Sequence, residues 1–188
     1  MSTNLLKNMP LSRKIAYLGT FTAIAMLVDM LFYRVNLFGQ NITFVPVVIF
    51  YVSCWLGLSG GAIVAVIADF ISNLIWGRIG QYNPFFTLSA FFLGIIPALI
   101  MLLSFKSKGG IFIKIILSFL LMYISSVLFE NIIGMYFYYK IYLKGNMSGF
   151  FLKFWLRIGT NTVVYSINFI VAILLFYPLN KIPFLRLN

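Results

Sequence analysis

The sequence predicts an all-α integral membrane protein, a six-transmembrane-helix bundle with both termini cytoplasmic. Three observations carry that prediction. First, 62% of the 188 residues are hydrophobic and only 9% are charged, whereas a soluble domain carries about a quarter charged residues. Second, the apolar residues fall into six runs, each near the length of about 20 residues that a helix needs to cross hydrocarbon. Third, the basic residues sit between those runs and favour one side. The runs fill the chain, so residues 1–188 read as a single transmembrane domain.

The first span covers about 13–32 and follows Lys7, Arg13 and Lys14. It is too long for a signal-peptide core and has no clear small-x-small cleavage site, so it reads as a mature helix. A polar loop containing Arg34, Asn36, Gly39, Gln40 and Asn41 comes next. The second span, about 42–56, is short and ends at Gly57-Leu58-Ser59-Gly60-Gly61, a tight uncharged turn. The third covers about 61–76. Asn83-Pro84 starts the fourth, about 84–104, with Asn suited to the cap and Pro to the first helical position. After the basic turn at Lys106 and Lys108, the fifth runs over about 111–138. The sixth covers about 150–177, where Pro178 is expected to end it. With termini inside, eight basic residues fall on the cytoplasmic side (Lys7, Arg13, Lys14, Lys106, Lys108, Lys114, Lys181, Arg186) and five outside (Arg34, Arg78, Lys140, Lys144, Lys153).

Missing residue types exclude whole classes of chemistry. The chain has no His, which removes Ser-His-Asp triads, H-E-x-x-H zinc sites and His-ligated haem. It has no P-loop motif. Its acidic residues, Asp29, Asp69 and Glu130, are at least 40 positions apart, so no clustered-carboxylate metal site is visible. The reading is a non-enzyme without metal or cofactor. The net charge of +11 is scattered over loops and does not form a stripe, which argues for headgroup contacts and against nucleic acid. Cys54, the single cysteine, reads as a buried inert thiol.

An ionisable group inside the bilayer costs a few kcal/mol or more and faces the bundle interior. At 1.5 Å per residue, Asp29 stands about 24 Å along the first helix, Asp69 about 12 Å up the third, Glu130 about 28 Å along the fifth and Arg157 about 10 Å down the sixth. Three of the four therefore lie in the outer half, with Asp69 as their floor, as an outward-open pocket requires. A purely structural alternative pairs Arg157 with Asp29 or Glu130. Arg34 and Arg78 suit bidentate recognition of an anion, and Tyr82 and Phe86 suit stacking on a flat ring, although aromatics and arginines at such positions also serve as interface anchors. The third helix carries a four-residue ladder, Gly57, Gly61, Ala65, Asp69 and Asn73, that points inward. Gly19 and Ala23 form a small-xxx-small pair on the first helix, fit either for internal packing or for docking another membrane protein.

The segment Gly80-Gln81-Tyr82-Asn83-Pro84-Phe85-Phe86-Thr87-Leu88-Ser89-Ala90-Phe91-Phe92-Leu93-Gly94 resembles the loop and fourth-helix start of the substrate-binding S components of energy-coupling factor (ECF) vitamin transporters. It is most similar to the folate-specific branch, with its approximate pattern G-x-Y-F-P-G-F-T-L-S-A-x-x-x-G; Phe85 replaces a usual glycine. Residues 57–69 are similar to the family's G-P-x-x-G-A-x-x-G-x-x-x-D, with Leu58 and Ala65 departing. Asn131 and Arg157 match positions where that branch often has Asn and Arg, while the Trp common after the Asn is missing.

The resemblance implies a membrane-embedded vitamin-binding subunit of an importer in the cell membrane of a bacterium. It implies a site near the outer face, drawn from Arg34, Asp69, Arg78, Tyr82, Phe86, Glu130, Asn131 and Arg157. It further implies that Gly19 and Ala23 dock on a transmembrane coupling protein carrying two cytosolic ATPases. Folate suits this inventory, with its donor-rich pteridine edge, flat rings and carboxylate tail. The alternatives are an S component for another vitamin or precursor, such as pantothenate, pyridoxine or hydroxymethylpyrimidine, and a non-transport membrane assembly or scaffold protein.

Overall fold

The computed structural model describes residues 9–32, 36–37, 40–75, 83–103, 110–141 and 149–182. Among these, helix α1 (Leu11–Phe32) leads through a two-stranded hairpin, β1 (Asn36–Leu37) and β2 (Gln40–Asn41), to α2 (Val45–Ile75). The hairpin pairs Asn36 with Asn41 and Leu37 with Gln40, in a stretch that reads from sequence as plain loop. Helix α3 (Pro84–Leu102) follows. Then α4 (Gly110–Ser126), a π-helical segment (Val127–Gly134) and α5 (Met135–Ile141) form one continuous rod, and α6 (Phe150–Asn180) completes the chain. Five helices of the described residues are long and apolar enough to cross a membrane.

Helix α2 holds two of the expected runs. Its 31 residues are interrupted at Gly57, where φ is 77° and ψ −171°, a conformation open to glycine and strained for other residues. Eight residues of straight helix span about 12 Å, yet a Cβ on Gly61 would stand 2.8 Å from Ser53 Cβ. The arms Val45–Leu56 and Leu58–Ile75 therefore fold back on each other. The reversal that reads as a five-residue turn is concentrated at Gly57, which takes Gly57 off the expected ladder.

The first arm is the centre of the bundle. Ile49, Phe50, Val52, Ser53 and Leu56 are almost wholly inaccessible, as expected for a helix apolar on all sides. Phe50 packs on Phe119 of α4, and Tyr51 donates a 2.6 Å hydrogen bond to the Ala172 carbonyl of α6. Cys54 is buried in this core. Outward residues such as Leu31, Leu99, Ile116 and Leu174 are exposed and apolar, the composition that suits contact with lipid tails.

Helix α1 begins at Leu11, two residues before the expected 13, and α5 runs to Ile141, past the expected 138; three further boundaries also differ from expectation. Helix α2 begins at Val45 and not Ile42, because the Thr43 hydroxyl accepts the Val45 N–H at 3.2 Å and Pro46 occupies the first turn. Helix α3 stops at Leu102, where Leu103 turns to extended backbone. Helix α6 passes Pro178 and ends at Asn180; a proline in a last turn removes one bond while keeping a helical φ.

The second arm of α2 meets α3 backbone against backbone at Gly61 and Gly94, the close approach that small residues permit between membrane helices. A Cβ on Gly94 would lie 2.6 Å from the Gly61 carbonyl carbon and 2.7 Å from Ala62 Cα. Gly94→Ala should therefore destabilise the bundle by about 1–3 kcal/mol, the usual cost of overpacking. Gly159→Ala, which meets nothing within 4 Å, should melt like the parent. Thermal unfolding in detergent checks this, and equal melting of both variants would contradict the packing.

Candidate functional site

By element order, one end of the bundle collects the end of α1, the starts of α2, α3 and α6, the end of the second arm of α2 and the π segment. At that end these elements enclose a cavity of about 500 Å³, within the range of small-molecule sites. Asp29, Asp69, Glu130 and Arg157 all line it, one from each of four membrane helices. Ala25, Ile49, Ala65, Ala68, Leu93 and Val164 supply its apolar wall.

Each carboxylate is fixed by a neutral donor from another element. Thr43 donates to Asp29 Oδ1 at 3.3 Å, and the carbonyl of Thr43 in turn accepts from Asn168 Nδ2 of α6 at 2.8 Å. Asp69 Oδ2 accepts from Thr87 Oγ1 of α3 at 2.7 Å, and Oδ1 from Asn73 Nδ2 at 3.3 Å. Glu130 Oε1 accepts from Ser89 Oγ of α3 at 2.7 Å. Hydrogen bonds to charged groups are worth about 1.5–3 kcal/mol, so these hydroxyls both orient the acids and offset part of their burial.

Arg157 is held differently. Its guanidinium carbon lies 5.0 Å from the centroid of the Phe86 ring, within cation–π distance, and among the described residues its Nε has no hydrogen-bond partner. Among the described residues Arg157 makes no direct pair with Asp29 or Glu130, so the structural ion pair offered as an alternative is not formed. A guanidinium kept over an aromatic face leaves its planar fork available for an anion. The cavity thus presents carboxylate acceptors, the Arg157 cation and the rings of Phe86 and Tyr165, an arrangement able to bind a polar ring with donors on an edge and an anionic group elsewhere.

Of the residues named from sequence, the structure brings Asp69, Phe86, Glu130 and Arg157 together in the cavity wall. Among the described residues the fully buried Asn131 side chain has no hydrogen-bond partner and does not line the cavity; it neighbours Glu130 in the chain but points elsewhere on the helix. Arg34, Arg78 and Tyr82 lie outside the described residues. Gly19 and Ala23 are exposed on α1, and among the described residues nothing beyond the helix's own backbone lies within 4 Å of where a Gly19 Cβ would stand. Of the ladder on α2, Ala65, Asp69 and Asn73 line the cavity.

Sequence reading missed Thr43, Ser72, Ser126 and Asn161, all of which line the cavity. Asn161 donates to Ser126 Oγ at 3.4 Å. It stands four residues after Arg157, so helical periodicity places it on the same face; that spacing was the available signal. Ser126, four residues before Glu130, and Ser72, three after Asp69, carry the same signal; Thr43 carries none.

A family model for the ECF transporter, substrate-specific component, matches residues 13–184. No curated protein matches the chain. A match over nearly the whole length agrees with a helical bundle built around one polar cavity, and on it the chain belongs to the family of ECF transporter substrate-specific components.

Proposed function

We propose that this chain is the high-affinity folate-binding subunit of its ECF transporter. Family membership makes it a multi-pass component of the cell membrane that binds a substrate and works with an ECF energy-coupling module, and not an enzyme. The observation that carries the folate reading is the cavity in which Asp69, Glu130 and Arg157 meet beside the Phe86 ring. In this reading the carboxylates accept from the 2-amino edge of the pteridine, Phe86 covers a ring face, and Arg157 takes a carboxylate of the glutamate tail. The likeness of residues 80–94 to the folate branch supports it. Arg34, Arg78 and Tyr82 belong to the same site in this reading. The excess of three carboxylates over one guanidinium in the wall favours, as a second reading, a smaller donor-rich vitamin precursor such as hydroxymethylpyrimidine.

Titration of the detergent-purified chain with folate, pantothenate, pyridoxine and hydroxymethylpyrimidine separates these readings. Saturable binding of folate alone is expected, weakened tenfold to a hundredfold by Arg157→Ala or Asp69→Asn, the loss of about 1.5–3 kcal/mol that a charged hydrogen bond carries. Folate binding unchanged in both variants, or no folate binding by the parent, would overturn the assignment.

The two arms of α2 each cross the membrane in this account, which makes six crossings with both termini cytoplasmic and the cavity facing outward. Cysteines introduced in place of Lys108 and Lys144 should then differ in intact cells: an impermeant maleimide labels the second and spares the first. The reverse pattern would invert the topology.

The exposed Gly19 and Ala23 face of α1 is the docking surface for the transmembrane coupling protein, which carries two cytosolic ATPases. Ala23→Trp should abolish co-purification with the coupling module while folate affinity stays at the parent value. Retention of the module by this variant would remove α1 from the interface.

A further inference from the structure

Helix α3 with its cap runs antiparallel to the π segment and α5 and is joined to them at four points, three on the π segment and one on α5. Asn83 Nδ2 donates to the Gly134 carbonyl at 2.8 Å, and Ser89 donates to Glu130 at 2.7 Å. Phe85 packs edge-on against Phe137, with centroids 5.2 Å apart. Phe92 stacks on Phe129 at 4.7 Å and an interplanar angle of 6°. The π segment is the part of the rod that carries Glu130. Gly134 is the last residue of the π segment, and its carbonyl receives the Asn83 amide.

Asn83 is 2% exposed and uses both halves of its side chain. Its oxygen accepts the Phe85 N–H at 3.1 Å and caps α3, while its nitrogen reaches across to the π segment. Gly134 makes room for this: a Cβ there would stand 3.0 Å from Phe86 Cε1 and 3.4 Å from Asn83 Nδ2. Phe86 is the ring under Arg157. One buried amide therefore sets both the place where α3 begins, with Phe86, and the place where the π segment ends, four residues after Glu130.

We propose that Asn83 is a positioning residue for substrate binding, acting through Gly134 to hold the π segment in the geometry that presents Glu130 to the cavity. The inference rests on reading the cavity as the substrate site. Asn83→Ser keeps a capping hydroxyl but is too short to reach Gly134. Asn83→Asp keeps the size and the cap acceptor while losing the donor, and it carries the same expectation if the serine variant does not fold.

Two measurements on the full-length, detergent-purified chain decide it. In the first, with folate as probe, Asn83→Ser binds at least tenfold more weakly than the parent, and adding Glu130→Gln to it weakens binding by less than Glu130→Gln does alone. Losses that simply multiply would make Asn83 a structural residue only and overturn the proposal. In the second, hydrogen exchange without ligand, Asn83→Ser speeds exchange across 127–137 and leaves 157–168 at the parent rate. Unchanged exchange across 127–137 would equally overturn it. Should the parent itself not bind folate, the substrate reading fails separately, and the exchange measurement alone judges the clamp.

Discussion

Three carboxylates and a guanidinium cannot be left facing hydrocarbon, where each costs a few kcal/mol or more, and the rest of the bundle is arranged around that constraint. Asp29, Asp69, Glu130 and Arg157 stand on four different membrane helices and meet at a single cavity. Holding them there needs partners from neighbouring elements, and the donors Thr43, Thr87 and Ser89 come from the starts of α2 and α3. The hydrogen bonds that offset burial are therefore also the bonds that tie helix to helix. Disturbing one carboxylate should loosen a junction as well as a contact.

The same constraint explains why the first arm of α2 sits in the middle. It is short, apolar on all sides and without ionisable groups except the buried thiol and phenol of Cys54 and Tyr51. Tyr51 spends its hydroxyl on a backbone carbonyl of α6 and Ser53 on the Ile49 carbonyl of its own helix, so neither hydroxyl needs water. The second arm then folds back at Gly57 and brings Asp69 up to the cavity, with the Gly61 and Gly94 contact setting how closely it lies against α3. A core arm that carries no charge and a returning arm that carries one divide support from recognition within a single helix pair.

Much of this was legible in the sequence, because helical rise and periodicity are local and regular. Counting residues along four runs is enough to put Asp29, Glu130 and Arg157 in one half of the bilayer with Asp69 as their floor, and the Asn83-Pro84 start of α3 follows from cap chemistry. What was not legible depends on contacts between elements. The π segment is invisible in its own residues, since its wide turns are held by Asn83 and Ser89 from α3. For the same reason Asn131, adjacent to Glu130 in sequence, is turned out of the cavity wall. Asn161 carries no charge to mark it, although its four-residue spacing from Arg157 is readable. The collapse of the Gly57–Gly61 turn into one residue required knowing that Gly61 was already committed to packing against Gly94.

The central claim is that the charged cavity is a vitamin site and not a structural cluster. Mass spectrometry of the small molecules released from the purified, untreated chain tests it most directly. The account predicts one pterin-containing molecule per chain, absent from a preparation of Arg157→Ala. A preparation that releases no small molecule, or the same molecule in equal amount from parent and variant, would contradict it.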